Sequence, residues 1–180
     1  MNNDALTTDA PAGGSFDKSV CFMDTPVGQI GVAENGQGIS DIFFARDGAA
    51  INGFSLNKHA FRVAETPLLR EAMSQLREYM SGARKTFDLP LSYQGTDFQK
   101  AVWEALREIP YGQVRSYKDI AERVGRPKAY RAVGMANNRN PIVIVIPCHR
   151  VIGHDGALVG FGGGIPNKEY LLSLERAGAN

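Results

Sequence analysis

The chain has 180 residues, 43% of them hydrophobic and 22% charged, a globular balance that excludes a wholly disordered or fibrous polymer. No apolar run reaches the roughly 18 residues of a membrane helix, and the opening MNNDALTTDAPAGGSFD has neither the basic nor the apolar segment of a secretory signal. Cys21 and Cys148 are too few for a disulfide framework, and with a net charge of only +1 the whole chain favours no class of partner; a reducing cytoplasm is the expected setting.

Residues 1–16, rich in Asn, Thr, Ala, Pro and Gly, read as a disordered tail. Over 20–33 the pattern is strand, Pro-Val-Gly turn, strand. After Gly36-Gln37-Gly38, residues 39–45 alternate as a third strand, which makes an antiparallel meander. Apolar residues then recur at three and four from Thr66 to Met80, predicting a helix with Pro67 at its start. Residues 87–93 are extended, and Pro90 confines them to an edge or a linker.

A second unit begins near Gly95. Thr96 caps a helix over 97–108, whose stripe is Phe98, Val102, Trp103, Leu106 and Ile109. Ser116 caps a short helix over 117–124 that Gly125 ends, and Arg126-Pro127 leads to a third over 128–137. Helix, glycine turn and basic helix make a helix-turn-helix arrangement. The apolar run IVIVIP after Asn140-Pro141 predicts a buried extended segment that ends in Cys148-His149-Arg150. A glycine-rich stretch over 160–164 and a helix over 167–176 follow. The expected fold class is α/β (α+β). A small antiparallel-sheet-plus-helix domain, 17–93, precedes a mostly helical domain, 94–180.

Charge is divided unevenly. Residues 1–93 carry eight basic and eleven acidic side chains, net −3, whereas 94–180 carry net +4. Within 111–150 eight Lys and Arg face only Asp119 and Glu122, net +6. Such a segment suits either a polyanion-binding face or an ordinary solvated surface.

Cys148 also has two readings. A cysteine beside an apolar run packs as a small hydrophobe. A cysteine beside a base and a cation is a nucleophile, and His149, Arg150 and Glu175 supply those groups. Neighbours on a regular strand face opposite ways, so Cys148 and His149 can cooperate only through a turn at Pro147 or a bridging water.

The segment Ile146-Pro147-Cys148-His149-Arg150-Val151 resembles the acceptor signature of the O6-alkylguanine-DNA alkyltransferases. Gly95-Thr96-Asp97-Phe98-Gln99, Ile109-Pro110-Tyr111-Gly112, Ser116-Tyr117, Arg131-Ala132-Val133-Gly134, Asn140-Pro141 and Gly160–Gly164 follow in the family's order. The likeness covers 94–176; the first half is similar only in size and plan.

The resemblance implies direct reversal of DNA damage. An alkyl group passes from O6 of guanine, less readily from O4 of thymine, to Cys148, once per molecule and with no cofactor. It further implies His149 as the base acting through water, Glu175 as its orienter, Tyr117 as proton donor to the leaving guanine and Asn140 as holder of the preceding turn. The target base must leave the duplex, with Arg131 filling the gap. Ser116, Ala129, Tyr130 and Arg150 accompany Arg131 at the DNA, and Val151, Val159, Gly160, Phe161 and Gly162 surround the pocket. The implied partner is double-stranded DNA bound by a monomer, with no membrane.

There are departures from the family pattern. Tyr130 is bulky where a small residue is common, and Phe161 lacks a frequent hydroxyl. Cys21 and His59 are the soft ligands of the first half, at no metal-like spacing, so no zinc is expected. Two other readings compete: an alkyltransferase-like protein that binds damage without repairing it, disfavoured by Cys148, and a Cys-His thiol hydrolase, which has no need of a basic helix.

Overall fold

In the computed structural model, which describes residues 17–46, 49–50 and 61–179, the first layer is a five-stranded sheet of order β4-β3-β2-β1-β5. The proposed tail over 1–16 and His59 lie outside the described residues. Strands β1 (Lys18–Thr25), β2 (Gly28–Glu34) and β3 (Ile39–Arg46) form the expected antiparallel meander. Gly28, at φ 94°, makes the first turn with a backbone that a side chain would strain. Two short strands complete the sheet: β4 (Ala49–Ala50) beside β3, and β5 (Phe61–Val63), parallel to β1. Three residues are too few to carry a period, so sequence alone does not show β5.

Helix α1 (Pro67–Met80) starts where Thr66 accepts a hydrogen bond from the Leu69 amide, and buries Leu69, Ala72, Leu76 and Tyr79. The edge of β3 that β4 leaves open is paired by two later segments. Ile39 exchanges backbone hydrogen bonds with Pro90 and Ser92, and Ile42 with Pro141 and Val143. Pro90 contributes only its carbonyl, as a proline at an edge must. The two halves are thereby joined through main chain as well as core, since one apolar cluster runs from Ile30 and Phe44 to Trp103, Ile142 and Leu171.

In the second half, α2 (Asp97–Arg107) and α3 (Tyr117–Arg123) each open with a capping box, Thr96 with Gln99 and Ser116 with Asp119. Short strands β6 (Arg115–Ser116) and β7 (Val151–Ile152) pair in parallel. Helix α4 (Tyr130–Asn138) packs against α3 and α2, and Trp103 donates its indole N–H to the Ala136 carbonyl at 2.9 Å. The helix starts two residues later than expected because residues 126–129 close a turn, the Ala129 amide donating to the Arg126 carbonyl, with no side-chain cap. Helix α5 (Ile165–Gly178) begins two residues earlier than expected, because Pro166 is tolerated in a first turn. No helix among the described residues is long and apolar enough to cross a membrane.

One expectation is corrected in part. The run 142–147 is buried, except that Val145 is only partly so, but it is extended only at its start, where it pairs with β3. Ile144 has φ 74°, the one positive value at a non-glycine among the described residues, and the chain doubles back there.

Candidate active site and nucleic-acid face

Two tight turns deliver Cys148. The Val145 amide donates to the Val143 carbonyl at 2.9 Å, a γ-turn centred on Ile144 in its strained left-handed form. The Cys148 amide donates to the Ile146 carbonyl at 2.8 Å, a second γ-turn of the relaxed kind, centred on Pro147 at φ −82°, ψ 64°. Asn140 brackets both: its Oδ1 accepts from the Ile142 amide at 3.0 Å and its Nδ2 donates to the Ile146 carbonyl at 2.7 Å. Residues Cys148–Arg150 then form a single 3₁₀ turn, so His149 does not stand on a regular strand opposite Cys148.

Glu175, from α5, gathers the polar interior and is 0% exposed. His149 Nε2 lies 2.8 Å from its Oε1. Arg150 donates through Nε to both carboxylate oxygens and through Nη2 to Oε1, and the Gly112 amide donates to Oε2 at 3.0 Å. Burial alone would raise the Glu175 carboxyl, but hydrogen bonds and charge from His149 and Arg150 overcome it and hold it at about 2. An ionised carboxylate only accepts, so the imidazole proton belongs on Nε2. Nδ1, buried and without a partner, is then the basic nitrogen.

Burial pushes His149 below the ordinary histidine value, against the opposing pull of Glu175, so the ring is neutral at pH 7. Burial also pushes the Cys148 thiol up to about 11, with the Asn140 side chain and the Lys168 charge acting the other way. A neutral thiol near a neutral, oriented imidazole can be deprotonated as it attacks.

The loop over 159–163 lies against the start of α3. Tyr117, partly buried at the start of α3, donates its hydroxyl to the Val159 and Gly160 carbonyls at 3.1 and 3.2 Å. Gly160 has φ 53°, a backbone that suits glycine, and Phe161 packs edge-on against Phe44, ring centroids 5.7 Å apart. Val151, just after the Cys148 turn, is fully buried, Val159 is exposed, and Gly162 is intermediate.

Three contributors escape a reading of the sequence. Lys168 is fully buried and donates to the Val151 and Val159 carbonyls at 2.6 and 2.8 Å, tying the segment after Cys148 to the loop; burial lowers its ammonium to about 8. Asn137 is buried, donates to the Cys148 carbonyl and leaves its Oδ1 unpartnered. Tyr79 of α1 donates to Glu175 at 2.6 Å. A signal exists for Lys168: with Leu171, Leu172 and Glu175 it marks one face of a helix at i, i+3, i+4 and i+7, two opposite charges on an apolar stripe.

The basic face is carried by α4 and the turn before it. Arg126, Lys128, Arg131 and Arg139 are exposed and, among the described residues, enter no salt bridge, whereas Lys118 and Arg123 pair with Glu122 and Glu108. Arg131 stands in the first turn of α4 beside Tyr130, 49% exposed, with Ala129 half-buried just before it. Met135, one turn on, is 61% exposed. Ser116 spends its hydroxyl on capping α3. The expectation that Arg150 reaches DNA is corrected: it is 7% exposed and turned inward, donating to Glu175 and to the Ile109 carbonyl at 2.6 Å. Among the described residues no group of three His, Cys, Asp or Glu side chains is arranged to hold a metal.

Two family descriptions match the chain: 6-O-methylguanine DNA methyltransferase, ribonuclease-like domain, over residues 20–93, and 6-O-methylguanine DNA methyltransferase, DNA binding domain, over 97–177. A methylated-DNA--protein-cysteine methyltransferase of Methanosarcina barkeri is 50% identical over 154 residues, covering 86% of this chain and 94% of that protein. The constitutive methylated-DNA--protein-cysteine methyltransferase of Bacillus subtilis is 48% identical over 154 residues, 85% of this chain and 92% of its own. The crystal structure of Mycobacterium tuberculosis OGT in complex with DNA superposes with a TM-score of 0.79 at 40% identity, over 89% of this chain and 94% of that one.

Proposed function

Since this chain belongs to the 6-O-methylguanine DNA methyltransferase family, we propose that it repairs DNA by moving the O6-alkyl group of guanine, and less readily the O4-methyl group of thymine, onto its own Cys148, once per molecule. The observation that carries this reading is the buried Cys148 on a clamped turn, followed by a His149 that Glu175 orients with Nδ1 as its free base.

The chemistry is an in-line displacement at the alkyl carbon. The Sγ–carbon bond forms as the carbon–O6 bond breaks, and the thiol proton passes through a water to His149 Nδ1. The departing guanine gains negative charge at O6 and takes a proton from Tyr117, whose phenol burial holds above its ordinary value and therefore protonated. The resulting thioether has no leaving group good enough to reverse the step.

The reacting oxygen is inaccessible in a stacked pair, so the base is turned out into the pocket walled by Val159, Gly160, Phe161 and Gly162, and Arg131 fills the space it leaves. Tyr130 and Ala129 flank it in the groove, and Ser116 meets the backbone at the start of α3. Residues 94–180 carry these functions and 17–93 form the supporting domain, the protein acting as a monomer on duplex DNA in a reducing cytoplasm that keeps Cys148 a thiol.

Intact mass after mixing with an oligonucleotide duplex carrying O6-methylguanine tests the reading. One CH₂ per molecule, mapped to Cys148 and absent from Cys21, is expected. The variant Cys148→Ser should bind the lesion without taking the methyl group, since a hydroxyl ionises far less readily than a thiol. Repeated turnover would sink the proposal.

A further inference from the structure

We propose that Tyr79, from the N-terminal helix α1, is a positioning residue for the transfer step: its hydroxyl completes the Glu175–His149 pair and holds His149 with Nδ1 free for the proton of Cys148. The inference rests on the transfer reaction proposed above and extends its machinery into the other half of the chain.

Tyr79 Oη donates to Glu175 Oε1 at 2.6 Å and lies 3.3 Å from His149 Nε2. All three side chains are fully buried. With Tyr79 in place, Oε1 accepts from Tyr79, His149 and Arg150, and Oε2 from Arg150 and Gly112. The carboxylate therefore has no rotation open to it that keeps its partners. The opposite imidazole tautomer would set a lone pair on Nε2 against Oε1, so the same contacts select the tautomer.

Tyr79 is itself held firmly. Its ring lies 5.4 Å from that of Phe87 and meets Tyr111 edge-on at 6.1 Å. Burial and the Glu175 charge raise the phenol well above its ordinary value, so the group stays a donor across any assay range. A rigid donor mounted on the first half thus reaches the base of the second.

Removing the hydroxyl has a defined electrostatic consequence. Glu175, relieved of one donor, turns more of its charge on His149 and favours the imidazolium, which cannot accept the thiol proton. The acid limb of the reaction should move to higher pH.

The test compares wild type, Tyr79→Phe and Ile30→Val in single-turnover transfer from free O6-benzylguanine across pH, with an NMR titration of His149. Tyr79→Phe keeps the ring and is expected to lower the plateau about three- to tenfold and to raise the acid limb and the His149 titration by about half to one pH unit. Ile30→Val, a buried change in β2 away from Tyr79, should lower thermal stability while keeping the wild-type limb. An unmoved His149 titration in Tyr79→Phe, or an equal shift in Ile30→Val, overturns the role of Tyr79. A wild type that takes no benzyl group overturns the transfer reaction instead, since the titration reads the contact without any chemistry.

Discussion

Asn140 donates its Nδ2 to the carbonyl of Ile146 at 2.7 Å, both residues buried just ahead of Cys148. Its Oδ1 accepts from Ile142 on the other side of the loop, so one side chain closes the six residues that contain the left-handed Ile144. A β-branched residue in that conformation costs on the order of 1–3 kcal/mol and persists only where its surroundings over-determine it. Asn140 supplies that constraint.

Asn140→Ala should therefore remove two hydrogen bonds from buried backbone groups and lower stability by about 2–4 kcal/mol, with a matching loss of transfer rate as Cys148 loses its fixed position. Urea denaturation measures the first and single-turnover transfer the second. A stability within error of wild type would mean that the two γ-turns hold themselves.

Glu175 links stability to pH. Held at about 2 against an ordinary 4.5, its carboxyl binds fewer protons in the folded than in the unfolded chain between those values. Its contribution is complete above pH 4.5 and is lost as pH falls toward 2. Glu175→Gln should abolish that part of the acid slope, and it should cost about 3–5 kcal/mol at neutral pH because Arg150 is left buried without its counter-charge. Denaturation curves of both proteins from neutral to acid pH check this; identical slopes would refute the linkage.

Arg131 separates recognition from chemistry. A side chain that only occupies the space of an everted base does nothing for a base already free of the duplex. Arg131→Ala should slow repair of duplex DNA strongly, because part of the few kcal/mol needed for eversion is no longer offset, and leave transfer from free O6-benzylguanine near the wild-type rate. A phosphate contact would behave otherwise, weakening binding to damaged and undamaged DNA alike and reducing the salt slope by about one. Equal losses with duplex and free base would place Arg131 in support of the active site.

Local chemistry made much of this molecule legible. The caps at Thr96 and Ser116, the meander of β1 to β3 and the break at Gly125 rest on hydrogen bonds and backbone preferences that span a few residues, and they stand where the pattern puts them. The segment 142–147 was less legible: β-branched apolar residues suit a strand, and only the partners on Asn140 turn them back on themselves.

By itself, then, the sequence determined the strand meander, the helix-turn-helix with its basic last helix, and the adjacency of Cys148 and His149, because periodicity, capping and motif are properties of neighbours along the chain; Glu175 joined them only through the family resemblance. Tertiary structure decided what those residues touch. Arg150 turned inward to Glu175 rather than outward to a phosphate, because a buried carboxylate requires a counter-charge. Lys168 and Tyr79 turned inward to the Val151 carbonyl and to Glu175, Tyr79 meeting Glu175 across 96 positions of sequence. A contact of that span leaves no trace in local pattern. It exists only once the core that packs α1 and α5 around the Cys148 turn has excluded water and left each polar group to find its partner inside.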